Sequence, residues 1–442
     1  MAARGSGGAR VAVVGGGFAG MAVAARLAKL GHTVTLHEAG EHLGGSLAPL
    51  AQDGFRWDRH ASTLTLPAVL RDLFRKSGRP LEAELDLTFC SPGRRHVFEG
   101  RAVLDLPFGS RAGQVEALAE LIDAKAAMAW TSHLDALGDV WEVLRRRTLD
   151  VPFAGRVAFD RDAWRTLQPR RSLRRTAHMV SRDERLRSLL VDRHRLAGQE
   201  PRGLPGSCTV VEHVERSFGR WQPAGGMGCV VEAISARLST RRVDVRLGSP
   251  VLDLSYAGNR VAGVVLAGGE QTPADVVVWT APHRPGRLTS TEHAQSEAAP
   301  AARTYLGLHE ADLPELPAEV FLHGDPLVLV RTGGQAPPGH QAWTVEHQPD
   351  DEDVVLTMAR RGIDVRTAVV ARSTSTPAEV VDERGASGAG IRWRGYRSGL
   401  RRPVPITPID HLYRIGADVH PGPGLVAAGL AVAQVAEAVG RA

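Results

Sequence analysis

Lysine is almost missing from this chain: 442 residues carry 51 arginines and three lysines, Lys29, Lys76 and Lys125. With abundant alanine and glycine, that imbalance reads as the codon bias of a GC-rich genome. The pI near 9.5 therefore carries little functional weight. A net charge of +5 is modest for this length, and with aromatics at only 5% no basic run is interleaved with them, so nucleic acid is not an expected partner. Cysteine is also scarce. Cys90, Cys208 and Cys229 lie far apart and form no C-x-x-C. That spacing excludes a disulfide framework, a redox-active dithiol and a zinc site, and it suits a reducing cytoplasm. No apolar run reaches the roughly 18 residues of a transmembrane helix, so a soluble or peripheral protein is expected. What is present, 43% hydrophobic residues in a long chain, is enough for two domains with separate cores, or for one large α/β unit.

The informative stretch is Val11 to Ser46. Val11 to Val14 form a continuous apolar run, the pattern of a central parallel strand covered on both faces. Gly15, Gly17 and Gly20 follow at G-x-G-x-x-G spacing. The first permits a tight turn, the second lets the backbone approach a pyrophosphate, and the third lets the next helix pack on the strand. That helix is predicted over Ala19 to Leu30. Its N-terminal N–H groups, with Phe18 and Ala19 at its start, face the phosphates. A second strand, His32 to Glu38, ends on an acid eighteen positions past Gly20, placed to hold ribose hydroxyls. Arg4, Arg10 and the apolar residues after them could pass for a signal peptide, but cleavage there would destroy this motif.

Gly44 and Gly45 continue the pattern as E-x5-G-G, which resembles FAD-binding flavoproteins of the glutathione reductase and amine oxidase type. Glycines suit a second backbone approach to the pyrophosphate. Gly54, Phe55, Asp58, Thr63 and Pro67 resemble the loop and helix after this motif in phytoene desaturases. His60-Ala61 replaces the usual Gly-Pro there, and Ser46 stands where many members carry a basic residue. Trp221 to Leu238, with Pro223, Gly225 and Gly226, resembles the loop and helix by which such flavoproteins return to the cofactor. Leu412 to Val439 is similar to their second FAD motif. The chain is thus identified as a member of the phytoene desaturase and carotene isomerase-like branch of the amine oxidase superfamily.

The resemblance implies an α/β, two-domain flavoprotein. A Rossmann-like FAD-binding domain would be built from residues 10–78, 205–288 and 399–442, with an inserted α+β substrate domain from 79–204 and 289–398. It implies noncovalent FAD held by Gly15, Gly17, Phe18, Ala19, Gly20, Glu38, Gly44, Gly45 and Ser46. Val251 would lie beside the adenine, Asp418 at the ribityl or pyrophosphate hydroxyls, and Leu425 at the start of a helix aimed at the flavin. The implied reaction is desaturation of a carotenoid or related polyisoprenoid. No metal is expected, and the catalytic base is unassigned, with His60 the candidate from its place in the loop. An FAD amine oxidase or other small-molecule oxidase, and a catalytically silent flavin-binding protein, are the alternatives.

Elsewhere, periodicity predicts helices over Gln114–Trp130 and, behind Ser132, over Leu134–Leu144, and the run from Arg182 to Pro201 resembles the family's helix before the active-site strand. Short β segments follow from Val243 to Thr280, including a buried strand over Asp275–Thr280. Residues 289–302 read as a polar connection. A hairpin is expected to turn at Gly324–Pro326, with Trp343–Glu346 as a partner strand, and Gly333–His340 as a loop. Residues 145–202 hold sixteen arginines against seven acids. That excess points to peripheral contact with an anionic membrane, beside a hydrophobic small-molecule substrate.

Overall fold

The computed structural model describes residues 8–283, 285–287, 297–382 and 390–442. Most of the polar connection expected at 289–302 lies outside these residues. The fold is a mixed α/β arrangement around two large sheets. One is parallel and five-stranded. Its order is Leu412–Arg414, Val276–Trp279, Arg10–Val14, Thr33–His37 and Asp244–Arg246. Arg10–Val14 is central because both its faces are buried, and alternation along it separates two cores. Val11 and Val13 pack with Val276 and Val278 under the helices Phe18–Lys29, Gly228–Thr240 and Leu425–Val439. Ala12 and Val14 pack with Val277 and Trp279 beneath an antiparallel sheet of Val251–Ala257, Arg260–Leu266 and Gln271–Pro273.

The second sheet has seven strands. Its order is Val369–Ser375, Ala302–His309, His340–His347, Val328–Arg331, Glu319–Leu322, Arg94–Val97 and Val103–Leu106. The hairpin at Gly324–Pro326 and its partner strand through Trp343 are both in this sheet. Glu319–Leu322 pairs in parallel with Arg94–Val97. Helix Val354–Arg360 covers part of one face, and Arg111–Leu121, Ala124–Leu144 and Glu184–Leu196 build a separate core against Phe98, Leu104 and Leu106.

Two expectations change. The helical pair breaks at Ile122-Asp123 and not near Ser132, because the Asp123 carboxylate accepts the Ala126 N–H at 2.6 Å and caps the second helix. Ser132 lies inside that helix. The tract 333–340 is not wholly loop: Gly334–Gln335 pairs with Phe55–Trp57, and Arg56 Nη1 donates to Gln335 Oε1 at 3.3 Å. No helix among the described residues is long and apolar enough to cross a membrane.

Candidate cofactor and active site

The five parallel strands share one carboxyl edge, and the glycine motif folds there. Gly15 takes φ +102°, and a Cβ on it would stand 2.7 Å from Thr280 Oγ1. One on Gly20 would sit 1.8 Å from the Gly15 carbonyl oxygen, so the helix can approach the strand only without side chains. Gly17 caps helix Phe18–Lys29 with no side-chain hydrogen bond, which leaves the first-turn N–H groups near Phe18 and Ala19 open to a ligand. Gly44 and Gly45 close over the same turn. Gly44 N donates to Gly16 O at 2.8 Å, Gly44 bridges Gly17, and a Cβ on Gly45 would come within 3.0 Å of Gly17 Cα. Ser46 lies half-buried in the single turn Gly45–Leu47 that follows.

Glu38 stands immediately beyond strand Thr33–His37. Its Oε2 accepts the Gly16 N–H at 2.5 Å and its Oε1 accepts the Gly40 N–H at 2.8 Å. Each oxygen keeps a further lone pair, so the carboxylate is both oriented and able to accept hydroxyl donors. Its backbone is fixed as well: Glu38 N donates to Arg246 O, and Ser249 N donates to Glu38 O at 2.8 Å. This brings Val251, two residues further on, to the acid's side of the edge. Val251 is buried, and its carbonyl meets His283 Nε2 at 3.1 Å.

On the other side of the central strand, Ile415 N donates to Trp279 O at 3.0 Å, so the chain leaves strand Leu412–Arg414 at the same edge. Asp418 pairs there with the buried Arg414 at 3.1 Å. Helix Leu425–Val439 starts after Gly424, which has φ +102° and gives no side-chain cap. Two helices that pack on each other therefore present uncapped N-termini along one edge.

Asp58 links the second loop to this edge. Its Oδ1 accepts the Met227 N–H at 2.9 Å, holding the Gly225-Gly226 turn at the entry to helix Gly228–Thr240. Burial pushes its carboxyl up to about 6, against the pull of the Met227 and Ser62 hydrogen bonds. His60 faces the seven-stranded sheet. Arg303 Nη2 lies 3.2 Å from His60 Nδ1, and since guanidinium only donates, that nitrogen is the acceptor and the proton of the neutral ring sits on Nε2.

Beyond it runs a buried ionic network. Arg94 reaches Glu319 at 2.7 Å and Glu215 at 3.3 Å, Arg220 reaches both, and Thr63 Oγ1 donates to Glu319 at 2.7 Å. Burial opposes ionisation of Glu319, but Arg220 and Arg94 outweigh it and hold that carboxyl well below the usual range. Sequence reasoning missed Gly16, Thr280 and this network. Gly16 was visible as the middle of three consecutive glycines, while Thr280 and Glu319 carry no local signal.

A parallel sheet whose carboxyl edge carries a glycine turn, an oriented acid and two open helix ends has the chemistry of a dinucleotide-binding oxidoreductase. The pattern of the flavin containing amine oxidoreductases matches residues 18–307, and the chain belongs to that family. Hydroxyneurosporene desaturase of Cereibacter sphaeroides is 27% identical over 97% of each chain. A zeta-carotene-forming phytoene desaturase of Myxococcus xanthus is 32% identical over 62% of this chain and 53% of its own. A solved putrescine oxidase shares the fold at TM-score 0.69 and 16% identity, over 98% of both chains. The protein is a flavin-dependent oxidoreductase.

Proposed function

We propose that the cofactor is FAD and that the enzyme is a desaturase of a carotenoid or related polyisoprenoid, of the phytoene desaturase type. The observation that carries this reading is the match to a hydroxyneurosporene desaturase over 97% of both chains. In this reading Gly15, Gly17 and Gly20, with the N–H groups at Phe18 and Ala19, take the pyrophosphate. Gly44, Gly45 and Ser46 close over it, Glu38 holds the ribose hydroxyls and Val251 lies by the adenine. Asp418 serves the ribityl chain, and the helix from Leu425 directs its dipole at the flavin. The bound flavin supplies the hydride acceptor, so the protein's part is to orient the substrate and exclude water. His60, from its place in the loop, is the candidate base.

We also read the chain as two domains in discontinuous segments. Residues 10–78, 205–288 and 399–442 form a Rossmann-like cofactor domain, and 79–204 with 289–398 form the substrate domain. Sheet membership supports the division: the parallel strands all come from the first set and the seven-stranded sheet wholly from the second. A cytoplasmic enzyme working against an anionic membrane surface suits so apolar a substrate.

The test is expression in cells that accumulate phytoene or its shorter analogue, with pigments separated by chromatography. More unsaturated products are the expected result. Unchanged pigments, together with peroxide release on a small amine, would overturn it in favour of an oxidase.

A further inference from the structure

The sixteen arginines of residues 145–202 do not form one uniform basic surface. Seven have carboxylate partners, such as Arg147 with Asp160 and Arg193 with Glu212 and Glu215. Of the nine with no ion pair among the described residues, Arg156, Arg170, Arg171 and Arg175 converge on one open cleft of about 740 Å³. Arg397 and Arg401, from a separate stretch of chain, line it as well. Among the described residues no carboxylate lines this cleft. Its walls are apolar and aromatic, with Trp164 and Tyr396 edge to face at 6.1 Å. A hydrogen bond from Arg397, and then one from Arg170, hold the Tyr396 phenol below its usual range, as a positive local field requires.

Six guanidinium groups held near one another without counter-charge repel, and neutralising anions relieve that repulsion. Their fixed forks match the oxygens of a phosphate two at a time, and several of them together favour a multivalent group over a single carboxylate. The aromatic walls suit an apolar portion next to that group. Two exposed apolar side chains neighbour cleft arginines along the chain: Val157, 85% exposed, follows Arg156, and Met179, 59% exposed, lies one helical turn after Arg175.

We propose that this cleft is a receptor for a phosphate-bearing group, a site separate from the glycine edge and independent of the reaction carried out there. The group comes either from a lipid headgroup or from a soluble phosphate compound, and the same chemistry recognises both.

The experiment uses the full-length, flavin-loaded protein at low salt with two probes: inorganic pyrophosphate by calorimetry, and sedimentation with phosphatidylcholine vesicles with or without phosphatidic acid. Two triple variants remove equal charge. One changes the cleft (Arg170→Gln, Arg175→Gln, Arg397→Gln), and the other changes exposed arginines outside it (Arg161→Gln, Arg182→Gln, Arg202→Gln). At least one phosphate-bearing probe should bind, and the cleft triple should lose about a hundredfold in affinity, the control triple only a small fraction of that. Binding of pyrophosphate alone assigns a soluble ligand, and binding of phosphatidic acid vesicles alone assigns a headgroup. Equal losses in the two triples, or no binding of either probe, would overturn the site.

Discussion

Glu38 does two jobs with one carboxylate. It ties down the N–H groups of Gly16 and Gly40 and has lone pairs left for a sugar. Glu38→Ala should therefore weaken FAD binding by about 1.5 to 3 kcal/mol, the worth of hydrogen bonds to a charged acceptor. It should also lower the melting temperature of the flavin-free protein, because two N–H groups lose their acceptor. Flavin titration of the deflavinated protein checks the first effect and thermal unfolding the second. Unchanged affinity would remove Glu38 from the site. Asp58 makes a prediction of opposite character. Its carboxyl rises from 3.8 to about 6 on folding, so the stability it contributes is fully present below about pH 4 and lost as pH rises through about 6. The ionised form costs about 3 kcal/mol at neutral pH. Asp58→Asn keeps an acceptor for Met227 N–H, so wild type should lose stability relative to this variant between pH 4 and 7. Parallel unfolding curves across that range would contradict the buried assignment. Spacing alone located Glu38, because strand, turn, helix and strand have fixed lengths. Nothing local marks Asp58 as buried, since its environment comes from Met227 and Thr344, far along the chain.

Elements are joined here by charge as much as by apolar packing. Glu319 on its strand receives Arg94 from the neighbouring strand, Arg220 from beyond helix Val210–Phe218, and Thr63 from the loop that carries His60. Replacing one member of such a buried group strands the others. Glu319→Gln should thus destabilise the fold by about 3 to 5 kcal/mol in denaturant titrations. Burial pushes the carboxyls of Glu319 and Glu346 up, but their arginines outweigh it and hold both low, Glu346 at about 2. Their stabilisation is present above the ordinary glutamate range and disappears as pH falls toward 2, opposite in sign to Asp58. Periodicity located the helical region around Gln114–Leu144 and the hairpin at Gly324–Pro326, but gave no sign of the helices Arg161–Leu167, Leu173–Val180 and Val210–Phe218. It failed at Asp123, where one capping carboxylate overrides a continuous apolar pattern. It also could not find the parallel pairing of Arg94–Val97 with Glu319–Leu322, which depends on segments over two hundred residues apart.

At the scale of the molecule, the two ends of the chain complete one structure. The terminal helix Leu425–Val439 packs on Phe18–Lys29, His32 Nε2 meets Gly440 O at 3.0 Å, and Ala442 N donates to Leu30 O at 3.2 Å. Deleting residues 418–442 should abolish flavin binding and expose the core around Met21 and Leu27 that Val432 and Val435 help to cover. Loss of bound flavin together with increased dye binding to apolar surface is the expected readout, and a truncated protein that still titrates with FAD would refute it. Asp418→Ala should lower FAD affinity with the fold retained, apart from the loss of Arg414's partner. Isothermal titration at constant salt measures that loss.

That closure also fixes an order of events during synthesis. The central strand Arg10–Val14 leaves the ribosome well before its neighbour Val276–Trp279, and the edge strand Leu412–Arg414 emerges later still. Until then its apolar face has no helix Leu425–Val439 to share its cover, and the second open helix end does not exist. Because a growing chain folds in the order in which it emerges, this sheet must wait half-formed for the strand and helix of residues 412–439. Loading of the cofactor therefore follows the emergence of that helix, and until then the apolar face of the central strand depends on being shielded.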